Sequence, residues 1–232
     1  MEEEMAAVRT IRIEENVLAD NDASAAAVRS MLTAAGTTMI NFMSSPGSGK
    51  TALLTALIPA LKDEMRIRVM DVDIESALDA QRVADAACVE ALQIHNGGLC
   101  HIDADMVARA LAQYPQAVTD TDLLILENIG NLVCPAEFDT GAHKNVMILS
   151  VPEGDDKPLK YPLMFSVCDL VLINKIDTLA YFDFNIEAAK QRIRRLNPGA
   201  EILCVSAKTG EGLDAVCDWV RKACSEQMKV RI

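Results

Sequence analysis

Residues 41–54 read NFMSSPGSGKTALL and close on Gly49, Lys50 and Thr51, the end of the phosphate-loop pattern G-x-x-x-x-G-K-[ST]. The first glycine of that pattern falls at position 44, where this chain has Ser44. Two readings stand at this point: a serine- and glycine-rich turn that matches by accident, or a phosphate cradle that accepts serine where the loop leaves its strand. The flanking residues favour the cradle. Thr38 to Met43 is a strand-like apolar run, Pro46-Gly47-Ser48-Gly49 turns, and Leu53, Leu54, Leu57, Ile58 and Leu61 recur at helical spacing after Lys50. In that setting backbone N–H groups from about Gly47 through Ser48 to Thr51 converge on phosphate oxygens at the positive end of a helix. Lys50 then neutralises the β- and γ-phosphates, and the Thr51 hydroxyl holds magnesium.

Working outward, short β-branched apolar runs alternate with longer helical stretches. Strands are expected at 38–43, 67–72, 89–94, 123–127, 146–151, 170–174 and 201–205. Helices are expected at 17–35, 50–64, 77–87, 105–114, 185–196 and 213–226. This alternation predicts an α/β fold, a single P-loop NTPase domain with a mostly parallel sheet and helices on both faces. Residues 1–36 form an N-terminal segment and leading helix packed on that domain, 37–226 the domain itself, and 227–232 a tail.

Two further strand ends carry binding chemistry. VLINKID brings Asn174, Lys175 and Asp177 to the carboxyl end of a strand, where sheets of this kind bind ligands. An aspartate there accepts hydrogen bonds from the ring N–H and exocyclic amine of guanine, a pair adenine lacks, so GTP is expected over ATP. Ser206, Ala207 and Lys208 end the next strand in S-A-K, a turn expected to offer a backbone N–H to the guanine oxygen. On the phosphate side, Asp73 ends the strand after the loop helix, and Glu127 opens an E-x-x-G arrangement closed by Gly130. Each can hold magnesium, directly or through water, or position the attacking water.

Cys100-His101 lies in a glycine-loosened loop, HNGGLCHIDADM, and Cys134-Pro135 follows soon after Gly130. Thiolate and imidazole suit zinc or nickel, not magnesium. Three ligands are too few for a closed structural site and fit a labile metal or one completed by a second subunit; by spacing alone, packed thiols remain the rival reading. Cys88, Cys168, Cys204, Cys217 and Cys224 read as packing residues, and His95 and His143 as loop residues. Loss of a γ-phosphate sensed at Glu127–Gly130 could move Cys134 directly.

The segments SSPGSGKT, GGLCHIDADMV, ENIGNLVCPAEFDTG, SVPEGDDKPLKYPLMF and NKID, in this order, resemble the HypB family of hydrogenase and nickel-incorporation GTPases, of the SIMIBI class. The resemblance runs from about residue 12 to 222, and members commonly carry serine at the position of Ser44. It implies a P-loop GTPase that forms a homodimer with GTP and holds nickel or zinc between subunits through Cys100, His101 and Cys134. It also implies nickel delivery to a partner metallochaperone and the [NiFe]-hydrogenase large subunit. The N-terminus carries no cysteine cluster or histidine-rich tract, so no second nickel store is expected. A urease-type nickel GTPase is disfavoured because Cys134-Pro135 is followed by Ala136 and not histidine. A regulatory GTPase with structural cysteines is the other alternative. Turnover is expected to be slow, on the order of 10⁻⁴ to 10⁻³ per second without an identifiable finger residue.

The whole composition is consistent with this. Of 232 residues half are hydrophobic, enough for a sizeable core, and 34 Asp and Glu against 22 Lys and Arg give a net charge of −12. That charge argues against nucleic acid and anionic membrane surfaces as partners. The acidic start MEEEMAAVRTIRIEEN lacks the basic and apolar regions of a signal peptide, so a cytoplasmic protein with its seven cysteines mostly as thiols is expected.

Overall fold

The computed structural model describes the backbone of residues 17–73, 85 and 89–230, and their side chains apart from those of 17–19, 73 and 230. Apart from residue 85, the expected helix at 77–87 lies outside the described residues, as does Cys88. Seven parallel strands form one sheet: β1 (Thr38–Ser44), β2 (Ile67–Asp73), β3 (Glu90–His95), β4 (Leu123–Gly130), β5 (Lys144–Ser150), β6 (Leu170–Asn174) and β7 (Glu201–Cys204). Their spatial order is β3-β2-β4-β1-β5-β6-β7. The chain therefore winds outward on one side of β1 and, after β4, on the other. The reversal leaves a crevice at the carboxyl ends of the central strands, where a ligand can enter.

The central strands β1, β4, β5 and β6 are covered on both faces, so they are largely apolar and their successive residues enter different cores. On the first face Ile40, Phe42, Leu123, Ile125, Val146 and Ile148 pack against Leu53, Leu54 and Leu57 of α2 (Lys50–Leu57) and Trp219 and Val220 of the carboxyl-terminal helix Leu213–Val230. The second face is split. Met39, Leu124 and Leu126 pack against α1 (Val17–Ala35) and α3 (Ala104–Gln113), whereas Met147, Leu149 and Val171 meet Met164 and Phe165 and Ile193 of the helix Ile186–Leu196. No described helix is long and apolar enough to cross a membrane.

Two differences from expectation have local causes. α2 stops at Leu57 and tightens into a 3₁₀ turn, Ile58–Ala60, because Pro59 has no N–H to donate to Thr55. The last helix runs on to Val230, into the expected tail. His143, expected to be a loop residue of no consequence, ties α1 to the sheet. Its Nδ1 accepts from Met39 N at 2.9 Å, and its Nε2 lies 2.9 Å from Thr33 Oγ1. The buried thiols behave as the sequence suggests: Cys168, Cys217 and Cys224 sit in the cores and Cys204 is half-buried. Burial pushes the Cys224 thiol up to about 11.

Candidate nucleotide and metal sites

Ser44 is the last residue of β1, paired with Gly130 on one side and Ile148 on the other, and it is not among the positive-φ residues. A residue in strand conformation needs no glycine; its hydroxyl donates to Ser45 O at 3.0 Å. The left-handed positions come later, at Gly47 (φ 74°) and Gly49 (φ 95°). At Gly49 even the space is spoken for, since a Cβ would lie 2.8 Å from Asn174 Nδ2. The loop lines a cleft of about 460 Å³ from Ser44 to Ala52, closed on the far side by Asp71, Asn128 and Gly130.

Lys50 and Thr51, on the first turn of α2, both reach the end of β4. Lys50 Nζ donates to Glu127 Oε1 at 3.0 Å and Thr51 Oγ1 to the same oxygen at 2.6 Å. Glu127 is fully buried, and its Oε2 has no hydrogen-bond partner; neither does the buried Ser48 Oγ. A carboxylate is rarely left half-satisfied in a protein interior without a function. A threonine hydroxyl beside a buried carboxylate oxygen is also the hard oxygen set that magnesium takes, so the residues present fit that ion. The side chain of Asp73, the other expected carboxylate, lies outside the described residues.

The strand ends on the opposite side of β1 grip the loop. Asn174 Nδ2 donates to Ser48 O at 3.0 Å and Lys175 Nζ to Gly47 O at 2.6 Å. Lys175 holds the left-handed conformation at φ 63°, the only described residue other than glycine to do so. Asp177 Oδ1 accepts from the buried Ser206 hydroxyl at 2.6 Å, which fixes the carboxylate plane. The Ala207 N–H is given to Asn174 Oδ1 at 3.2 Å, while Lys208 is exposed. All three sequence motifs thus meet at one sheet edge, with Ser206 positioning Asp177 and Asn174 bridging loop and turn.

The cysteines meet as well. Cys100 Sγ and Cys134 Sγ, both free thiols, lie 2.9 Å apart. Two thiolates on one tetrahedral metal would stand about 3.8 Å apart, given metal–sulfur bonds of ~2.3 Å, so a small separation of the two loops would admit an ion. Cys100 and partial burial push the Cys134 thiol up. His101 Nδ1 is 3.9 Å from Cys100 Sγ, but its ring stacks on Phe138 with centroids 3.9 Å apart. Among the described residues no group of three His, Cys, Asp or Glu side chains is already gathered as a metal site. Two asparagines that the sequence reading passed over build this region. Asn96 Nδ2 holds Leu99 O and His101 O at 2.6 and 2.8 Å, shaping the loop around Cys100. Asn131, next after Gly130, donates to Cys100 O at 3.3 Å and accepts from Val133 N at 2.8 Å. An asparagine between glycines and a cysteine does signal a turn, but its partner cannot be read from spacing.

Comparison with known proteins finds relatives over most of the chain. The family model described as CobW/HypB/UreG, nucleotide-binding domain, matches residues 38–204. The chain is 45% identical over 224 residues to hydrogenase maturation factor HypB of Azotobacter vinelandii, covering 97% of this chain and 73% of that protein. It is 40% identical to the hydrogenase/urease maturation factor HypB of Helicobacter hepaticus, covering 92% of this chain and 88% of that one. The solved structure of HypB from Helicobacter pylori in complex with nickel matches with a TM-score of 0.83 at 38% identity, over 90% of this chain and 97% of that chain.

Proposed function

The chain belongs to the HypB group of the CobW/HypB/UreG nucleotide-binding family, and we propose that it is a magnesium-dependent GTPase that carries nickel for the maturation of [NiFe]-hydrogenase. Nickel, or zinc in competition with it, is the cargo, taken up by Cys100, His101 and Cys134 and handed to a partner metallochaperone and the hydrogenase large subunit. The observation that carries this reading is the continuity of one short segment. Glu127 receives Lys50 and Thr51, Gly130 packs against Pro46 of the phosphate loop, and Asn131 holds the carbonyl of Cys100, whose thiol meets that of Cys134.

In this reading backbone N–H groups from Gly47 to Thr51 bind the phosphates, and Lys50 turns from Glu127 toward the γ-phosphate. The half-buried Asp177, held by Ser206, accepts from guanine. Thr51 and Glu127, with Asp73, would hold magnesium, which neutralises charge on the β- and γ-phosphate oxygens. The attacking water is placed by the Glu127 side of the cleft. With no finger residue identifiable at the cleft among the described residues, turnover is expected to be slow. When the γ-phosphate leaves, the contact at Gly130 relaxes, and Asn131 carries the shift to the Cys100 loop, opening or closing the thiol pair. The two thiols and one imidazole leave room for ligands from a second copy, so GTP favours a homodimer.

The test at the metal end is Cys134→Ser. A hydroxyl is a poor, mostly protonated ligand. Nickel and zinc affinity measured by chelator competition should fall by about tenfold or more, whereas GDP affinity stays near the parent's. Undiminished nickel binding in the variant would remove Cys134 from the site.

A further inference from the structure

Between the pairs Phe42↔Glu127 and Ser44↔Gly130, β4 carries one residue more than β1. An inserted residue leaves a backbone group without its ladder partner. Here Ile129 N–H donates to Oδ1 of the preceding Asn128 at 2.8 Å. That contact fixes the Asn128 amide, so its nitrogen faces Asn41 and donates to Asn41 Oδ1 at 3.0 Å. Asn41 must then donate in turn, to Asn145 Oδ1 at 3.0 Å, and Asn145 Nδ2 donates to Val167 O at 3.3 Å. The result is a one-way chain of amides crossing β4, β1 and β5 between two backbone anchors. It runs where the second face divides into its two cores, and Asn128 and Asn41 are 0% and 2% exposed.

A leucine at 128 could fill this space, but it could not satisfy the Ile129 amide. The bulge has a consequence at the nucleotide. It sets Gly130 so close to the phosphate loop that a Cβ there would lie 3.1 Å from both Pro46 N and Pro46 Cα. Glu127, on the opposite face, meanwhile reaches Lys50 and Thr51. We infer that Asn128 is a positioning residue for GTP turnover, holding the bulged end of β4 so that Gly130 stays against the phosphate loop. This rests on the GTPase reading above. Asn128 lines the cleft, but its side-chain amide is engaged by Ile129 N–H and Asn41, and it acts through Gly130.

The test compares Asn128→Ala with Asn145→Ala, which breaks the same amide chain away from the bulge. Both should lower the melting midpoint. Only Asn128→Ala should lower kcat, by about 10- to 100-fold, and reduce the preference for a non-hydrolysable GTP analogue over GDP, with GDP affinity within about threefold of the parent's. Asn128→Ser keeps an acceptor beside Ile129 N–H and should hold most of the parent's turnover. The inference is overturned if Asn128→Ala and Asn145→Ala turn over alike, if GDP affinity falls as far as kcat, or if a folded Asn128→Ser is as slow as the alanine variant. Should Asn128→Ala not fold, a folded Asn128→Ser that loses about tenfold or more of the parent's kcat overturns the inference. A parent that hydrolyses no GTP overturns the GTPase reading itself; a parent that hydrolyses it beside an unaffected Asn128→Ala overturns only this inference.

Discussion

Asp177 and Lys50 are the residues on which chemistry is most directly staked. One oxygen of Asp177 is taken by Ser206, and the other edge of the carboxylate is the proposed guanine reader. Replacing it by asparagine removes an acceptor and turns a donor toward the base amine. Hydrogen bonds to a charged group are worth about 1.5–3 kcal/mol, so Asp177→Asn should lose roughly 10- to 100-fold in GTP affinity and gain relative affinity for xanthosine triphosphate, read by nucleotide competition. Equal GTP binding by parent and variant would mean the base is read elsewhere. Lys50→Ala should abolish hydrolysis and weaken GTP more than GDP. It also removes the cation from the buried Glu127 carboxyl, leaving it only the Thr51 hydroxyl, at a cost of about 3–5 kcal/mol in unfolding free energy. Urea denaturation of the nucleotide-free protein checks the second part, turnover the first. Residue identity was largely legible here, because phosphate and base chemistry demand particular side chains at fixed strand ends. Ser44 was the exception, and the backbone resolves it: the strand continues through position 44 and the left-handed turn begins only at Gly47.

At the scale of elements, short apolar runs located the strands because the central ones alternate between two buried faces. What it could not locate were contacts set by register. Asn96, Asn128 and Asn131 are ordinary turn or strand residues until the sheet brings their amides to a partner. His143 belongs to the same group, since nothing in GAHKN marks it as half-buried against α1. Burial first, and the Arg29 guanidinium beside it, pull its pKa down to about 4 from an ordinary 6.5. Between those values the unfolded chain binds a proton that the native state refuses. Stability is therefore fully present above about pH 6.5 and lost as pH falls toward 4, with a slope approaching one proton. His143→Gln, which cannot take up that proton, should flatten the unfolding free energy across this window; an unchanged slope would place the proton uptake on other groups.

Over the whole molecule, the central crevice holds nucleotide chemistry on one side of a short segment and thiols on the other. The motifs made both ends visible in the sequence. Their connection was visible only as proximity of Cys134 to Gly130, because the Asn131 bridge and the approach of Cys100 to Cys134 depend on loops folded from distant parts of the chain. If the segment works as proposed, metal and nucleotide affinities are coupled, each altering the other by the same factor, by linkage. The most direct measurement is nickel affinity by competition with a coloured chelator, once with GDP bound and once with a non-hydrolysable GTP analogue, alongside mass in solution. The account predicts affinities that differ by roughly 5- to 150-fold, the ~1–3 kcal/mol typical of such coupling, together with a dimer favoured by the analogue. Equal nickel affinities and an unchanging monomer in both states would contradict it.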